Sequence, residues 1–203
     1  MIPIRYSEKV LFMRIFLSLI IIFFNLQSWT NADNIKDFEI EGISIGDSLL
    51  DYYSVEEIKK SSRKTNYPKK NNVFLNISIF TKTGNYDALK FYVKINDENY
   101  KIYSIEGRKR FSIVSKCREQ MKNITKELEN LLEINNKREH IFNYPQYIKT
   151  KAYVTELELD KGRVRLWCDD FSKEEIKKSN PFQGLGISIN SEIFMNYILD
   201  VYS

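Results

Sequence analysis

Residues 89–105 read LKFYVKINDENYKIYSI. Leu89, Phe91, Val93 and Ile95 alternate with Lys90, Tyr92 and Lys94, and after the polar run Asn96–Asn99 the alternation resumes from Tyr100 to Ile105. A period of two marks a strand with one buried face, so this stretch predicts two antiparallel strands and a tight turn. With Asp97-Glu98 as a two-residue loop, Val93 faces Ile102 and Ile95 faces Tyr100 on the core side. The outer face then pairs Tyr92 with Tyr103 and Lys94 with Lys101.

The same pattern extends in both directions. Upstream, Val73, Leu75, Ile77 and Ile79 alternate with Asn76 and Ser78 and reach the hairpin through a turn at Thr83-Gly84-Asn85. The stretch 61–72 (SSRKTNYPKKNN) reads as a loop, and Ser54 with Glu57 forms a capping box that opens a short helix through Lys60. Before it, DFEIEGISI at 37–45 reads as a short strand that Gly46 breaks, with Asp47 or Ser48 capping a start at Leu49. Downstream, Val114, Cys117, Met121, Ile124, Leu128 and Leu131 recur at spacings of three and four, which predicts a helix from Val114 to about Ile134. Lys151–Leu159 and Arg163–Cys168 form another hairpin around Asp160-Lys161-Gly162. A two-residue loop there would set Glu158 and Glu156 against Arg163 and Arg165, whereas Gly162 suits a three-residue loop; the register stays open at this level. Leu185, Ile187 and Ile189 add a strand, and Ser191 caps a last helix to Val201. Hairpins with helices between and after them define an α+β fold: an antiparallel sheet of hairpins, one long amphipathic helix, and shorter helices at both ends.

The first thirty-odd residues have a different logic. Arg5, Lys9 and Arg14 precede the apolar run Ile15–Phe24, and NLQSWTNA sets Thr30 and Ala32 at the −3 and −1 places of a cleavage site. That is the layout of a secretory signal, with Met1 or Met13 as the start. Residues 1–32 are thus expected to be a signal peptide and 33–203 a single globular domain, periplasmic or secreted. Membrane contact would arise only from an uncleaved signal. Charge is unevenly spread: 33–58 hold one basic and eight acidic residues, 59–110 thirteen and four, and 111–203 fourteen of each. Either the acidic opening segment neutralises the basic middle, or the middle offers a surface to an anionic partner.

Cys117 lies on the helix stripe and Cys168 on the apolar side of its strand, so both point into the core. In an oxidising compartment they are expected to form a disulfide, which on chain-entropy grounds contributes about 4 kcal/mol; two buried free thiols are the alternative. A single histidine and two core cysteines give no metal centre, no cofactor fingerprint is present, and Asp169-Asp170 are expected to end a strand before a cap at Ser172. On the outer face of the central hairpin, Tyr92, Lys94, Lys101 and Tyr103, extended by Arg108, Lys109 and Arg110, combine flat aromatic area with positive charge. This set is the candidate surface for an anionic envelope component or another envelope protein. An ordinary solvated sheet face is the competing interpretation, and an exported chain has no call for nucleic acid.

Gly46-Asp47-Ser48-Leu49 resembles the first block of GDSL (SGNH) hydrolases, which would make Ser48 a nucleophile. That family completes its site with a Gly-x-Asn-Asp block and a late Asp-x-x-His pair. Here Gly84-Asn85 is followed by Tyr86, and His140 has Lys137 three residues before it. The order from Gly46 to Ile105, two short helices and three strands, resembles the ααβββ modules of BamE/SmpA-like envelope proteins. FEIEGISIGDSLLDYYS, the helix cysteine and RLWCDDFS together resemble uncharacterised predicted periplasmic proteins of AT-rich marine alphaproteobacteria, which implies export and no known activity. The function expected is therefore that of an exported, non-enzymatic binding protein, with a small Ser48 hydrolase as the alternative.

Overall fold

A computed structural model of the chain describes residues 35, 38–64, 73–81, 84–147 and 149–202. Residues 1–34, and with them the expected signal and cleavage site, lie outside the described residues.

The first strands among the described residues form a two-stranded ribbon, β1 (Glu39–Ile40) and β2 (Ile43–Ser44), followed by a 3-10 turn at Leu49–Asp51 and helix α1 (Val55–Ser61). Strands β3 (Ser62–Lys64), β4 (Phe74–Phe80), β5 (Ala88–Lys94) and β6 (Ile102–Arg110) then lead into the long helix α2 (Val114–Leu131). Beyond it come β7 (Asn136–Asn143), β8 (Lys151–Leu159), β9 (Gly162–Asp170), α3 (Lys173–Ser179), β10 (Gly184–Ser191) and α4 (Glu192–Tyr202). Strands β3 to β10 form one antiparallel sheet in the order β3-β4-β5-β6-β10-β9-β8-β7. Two meanders, each built from sequence neighbours, are thus joined by the last strand, which pairs with β6 on one side and β9 on the other.

One face of the sheet is apolar. Ile77, Phe91, Val93, Ile105, Leu157, Val164, Leu166 and Ile187 lie beneath α2, the ribbon, Leu49 and Ile58 in a single buried cluster. Helix α2 inserts Cys117, Met121, Thr125 and Leu128. Each full side chain of this kind contributes about 1.5–3 kcal/mol by leaving water. Thr125 is tolerated in that stripe because its hydroxyl donates to the Met121 carbonyl at 2.8 Å, which satisfies it within the helix. Cys117 is bonded to Cys168 of β9, which fastens the helix to the sheet. Across the sheet, α4 folds over the opposite face and sets Phe194 against Phe74 and Tyr92.

Several expectations change at the level of packing. Over its described residues, 38–45, the expected strand is a hairpin, because Glu41 and Gly42 take positive φ values of 55° and 75° and turn the chain back. Ser62–Lys64, expected as loop, pairs with β4. Strand β7 was not foreseen; its residues are almost all exposed, so no alternation of hydrophobicity marks it. Helix α2 ends at Leu131, which is exposed. In the central hairpin Val93 does face Ile102, but a bulge between Tyr92 and Val93 places Tyr92 opposite Ser104, not Tyr103; on its other side Lys94 faces Phe74 of β4. The later hairpin takes the two-residue loop, with Leu159 opposite Gly162, so Glu158 meets Arg163 and Glu156 meets Arg165.

The disulfide closes a sequence separation of 51 residues. Replacing both Cys117 and Cys168 by Ser is expected to lower stability by up to about 4 kcal/mol, read as a shift of the urea midpoint against the oxidised parent. An unchanged midpoint would show that the bond does not constrain the unfolded chain.

Candidate functional site

The Gly46-Asp47-Ser48 segment is built as a cap. Ser48 accepts the Leu50 N–H at 3.2 Å and donates its own proton to the Asn99 carbonyl at 2.7 Å. Its main chain bridges to Lys101, just ahead of β6. Asp47 accepts from the Ser44 N–H at 2.9 Å and the Tyr52 hydroxyl at 2.7 Å. That hydrogen bond is the main cause of the Tyr52 phenol being pushed up to about 12. A serine nucleophile needs a base to take its proton. His140 stands on β7, four strand spacings from β6, or about 19 Å at ordinary sheet geometry. Replacing Ser48 by Ala is therefore expected to cost about 1 kcal/mol of stability, as loss of a cap does. The same Ala variant and the parent should react alike with a serine-directed probe; labelling that depended on Ser48 would overturn this assignment.

The structure does not gather the basic–aromatic set onto one surface. Tyr92 packs on Phe194, and Tyr103 meets Phe74 edge-on with Lys94 above its ring at 4.9 Å. Lys101 sits in the bridge to Ser48. Lys109 faces the helix-covered side, lining a cleft of about 320 Å³ with Glu39, Glu41, Tyr86 and Gln120. Arg108 and Arg110 point to the opposite side, against the ring of Phe182 at 4.9 and 4.4 Å. Successive residues of a strand face opposite ways, so Arg108-Lys109-Arg110 was bound to divide.

What the opposite face does gather is a ladder of charges that sequence reading did not assemble. Cross-strand pairing aligns Lys90, Glu106, Ser188, Arg165, Glu156 and Arg138 in one row across six strands. Glu106 takes Lys90 at 3.3 Å and Arg108 at 3.5 Å. Glu156, only 5% exposed, is bound by Arg138 and also meets Arg163 at 3.4 Å and Arg165 at 3.9 Å. Burial acts to raise the Glu156 carboxyl, but Arg138, Arg163 and Arg165 outweigh it and hold the group below its usual value. In the next row Gly186 lies between Arg108 and Trp167. A side chain at Gly186 would meet the indole at 2.2 Å, so glycine lets Trp167 lie across the sheet. Arg108 stacks over that indole at 5.1 Å and reaches Asp169 at 2.5 Å.

Asp169 is the most deeply buried of these charged groups, 2% exposed, and it also accepts from the Tyr144 hydroxyl at 2.6 Å. Burial pushes its carboxyl above the ordinary aspartate value, against the pull of Arg108 and Tyr144. The Tyr144 phenol is raised in turn by burial and by Asp169. Asp169 and Asp170 do end β9, and Ser172 caps α3; beyond that, Asp169 serves as the buried acceptor of Arg108 and Tyr144. Among the described residues, the Nε atoms of Arg108, Arg163 and Arg165 have no hydrogen-bond acceptor.

No group of three potential metal ligands occurs among the described residues, and no helix among them is long and apolar enough to cross a membrane. No protein-family model, curated protein or solved structure matches the chain.

A carboxylate held below its unfolded value adds stability above that value and loses it as pH falls through the folded one. The parent is therefore expected to lose stability as pH drops below about 4. Replacing Glu156 by Gln should flatten that fall and cost about 2–3 kcal/mol at pH 7, since three arginines lose their shared acceptor while Arg138 still reaches water. Urea titrations of parent and variant across pH test both. Parallel pH profiles would show that Glu156 is not the titrating group.

Proposed function

We propose that this chain is an exported, non-enzymatic binding protein that holds an anionic partner of the cell envelope on the charged face of its sheet. The observation that carries this reading is an imbalance on that face. Lys90, Arg108, Arg110, Arg138, Arg163 and Arg165 stand against Glu106, Glu156, Glu158 and Asp169. The carboxylates are mostly buried, whereas Arg138 is 57% and Arg165 39% exposed. A buried acceptor fixes the Arg138 guanidinium, and flat aromatic neighbours support two others: Trp167 lies 5.8 Å from Arg165, and Phe182 lies 4.4 Å from Arg110. Prearranged guanidinium groups suit phosphate or carboxylate, which they engage in paired hydrogen bonds. A disulfide between core residues supports an oxidising compartment. The spent proton of Ser48 argues for binding over hydrolysis.

Sedimentation with vesicles separates the alternatives. The parent is expected to bind vesicles containing phosphatidylglycerol and to ignore pure phosphatidylcholine. The double variant Arg110→Gln, Arg165→Gln should bind roughly 30-fold more weakly, at about 1 kcal/mol per basic residue. Lys59→Gln with Lys60→Gln, on α1 over the other face, should change little. Equal loss in both pairs would reduce the effect to net charge and remove the site.

A further inference from the structure

The two edges of the sheet are not alike. Strand β3 is three residues long and carries the exposed Arg63, the shortness and charge that blunt an edge. Strand β7 is eight residues long and exposed almost throughout, with no strand beyond it among the described residues. Its first half has Lys137, Arg138 and Glu139; its second half, His140 to Asn143, has no ionised carboxylate, lysine or arginine. There Ile141 and Phe142 are 53% and 41% exposed.

The hydrogen-bond phase says which groups this edge offers. Tyr144 donates to the Thr150 carbonyl at 3.1 Å, just past the end of the ladder. Bonded pairs alternate along an antiparallel ladder, so Phe142, His140, Arg138 and Asn136 direct their main-chain groups at β8. Lys137, Glu139, Ile141 and Asn143 direct theirs outward. An outward row of donors and acceptors is a template for another strand.

We propose that β7 is a self-association edge, pairing antiparallel with β7 of a second copy about a twofold axis centred on Ile141. An axis normal to the sheet keeps the two copies' faces aligned, so each residue pairs only with one of its own parity. The register must therefore centre on a single residue. Centring on Lys137, Arg138 or Glu139 sets like charges directly opposite, which is destabilising. Centring on His140 opposes two imidazoles and lays Glu139 against Ile141. Centring on Ile141 opposes the two isoleucines, sets His140 against Phe142 and Glu139 against Asn143, and opposes no like charges. Ile141 points its main chain outward, so the central pair is a hydrogen-bonded one. The partner is a second copy of this chain, and the resulting sheet would run unbroken through both. This inference does not depend on the anionic-partner reading.

Light scattering on the chain recovered from expression of the whole reading frame should give a dimer mass. Ile141→Cys should cross-link to itself under mild oxidation, because bonded partners sit about 5.5 Å apart at Cα, within disulfide range. Glu139→Cys should not, since the register carries it about 13 Å along the strand from its mate. Ile141→Pro removes an outward N–H and no bond to β8, so it should keep its circular dichroism and become monomeric. Should that variant lose its fold, Ile141→Lys, which opposes two ammonium groups, takes its place with the same expected loss of the dimer. A monomeric parent overturns the proposal. So does a dimer that survives these substitutions, or one that cross-links through residue 139 in preference to 141.

Discussion

Strand β10 carries the architecture. The chain from β3 to β6 and the chain from β7 to β9 each form a meander by pairing sequence neighbours. In the backbone ladder the two meanders meet only through this last strand, across which Arg108 of β6 reaches Asp169 of β9. Its residues 184–190 are all buried, and its main chain is bonded on both sides, to β6 and to β9. A two-sided strand has no free donor or acceptor row, and in an antiparallel sheet every such group needs a partner once water is gone. Removing β10 would open two edges and separate the halves of the core.

Two further devices depend on that insertion. Helix α2 spans the apolar face after β6 and is fixed to β9 by Cys117–Cys168, so the covalent link ties one meander's exit to the other's middle. On the other face, the ladder from Lys90 to Arg138 is continuous only because Ser188 of β10 sits between Glu106 and Arg165. Ser104, Asn190 and Ser188 complete that junction: Ser104 donates to the Asn190 carbonyl oxygen at 2.7 Å, and the Asn190 amide donates to Ser188 at 2.9 Å. Small hydroxyl and amide groups that satisfy one another are what a buried polar seam requires.

The charged face thereby acquires a division of labour. Glu156 and Asp169 are shielded and act as fixed acceptors, while Arg138 and Arg165 keep part of their guanidinium surface in water. Binding through Arg138 would come with little loss of side-chain freedom, since Glu156 already holds that guanidinium. The open edge at β7 borders the same rows through Arg138 and His140. Pairing of two copies there would place two charged faces side by side.

The sequence by itself determined the elements whose signals are local. Period-two alternation marked β4, β5, β6, β8, β9 and β10, period 3.6 marked α2, and hydrogen-bonded caps marked α1 and α4 at Ser54 and Ser191. Opposite faces for Cys168 and Trp167 followed from the same alternation, as did the joining of the two cysteines once both were placed inward. Tertiary structure decided whatever needs a partner distant in sequence. It chose the two-residue loop at Asp160-Lys161, because Glu156 and Glu158 find Arg165 and Arg163 only in that register. It bulged the central hairpin, so Tyr92 lies opposite Ser104 and the outer pair expected with Tyr103 did not form. It also made a strand of 136–143, whose side chains bury almost nothing and whose only reason to be extended is the free edge of β8. Hydrophobic pattern records which face leaves water, and it cannot record which edge a backbone hydrogen bond will find.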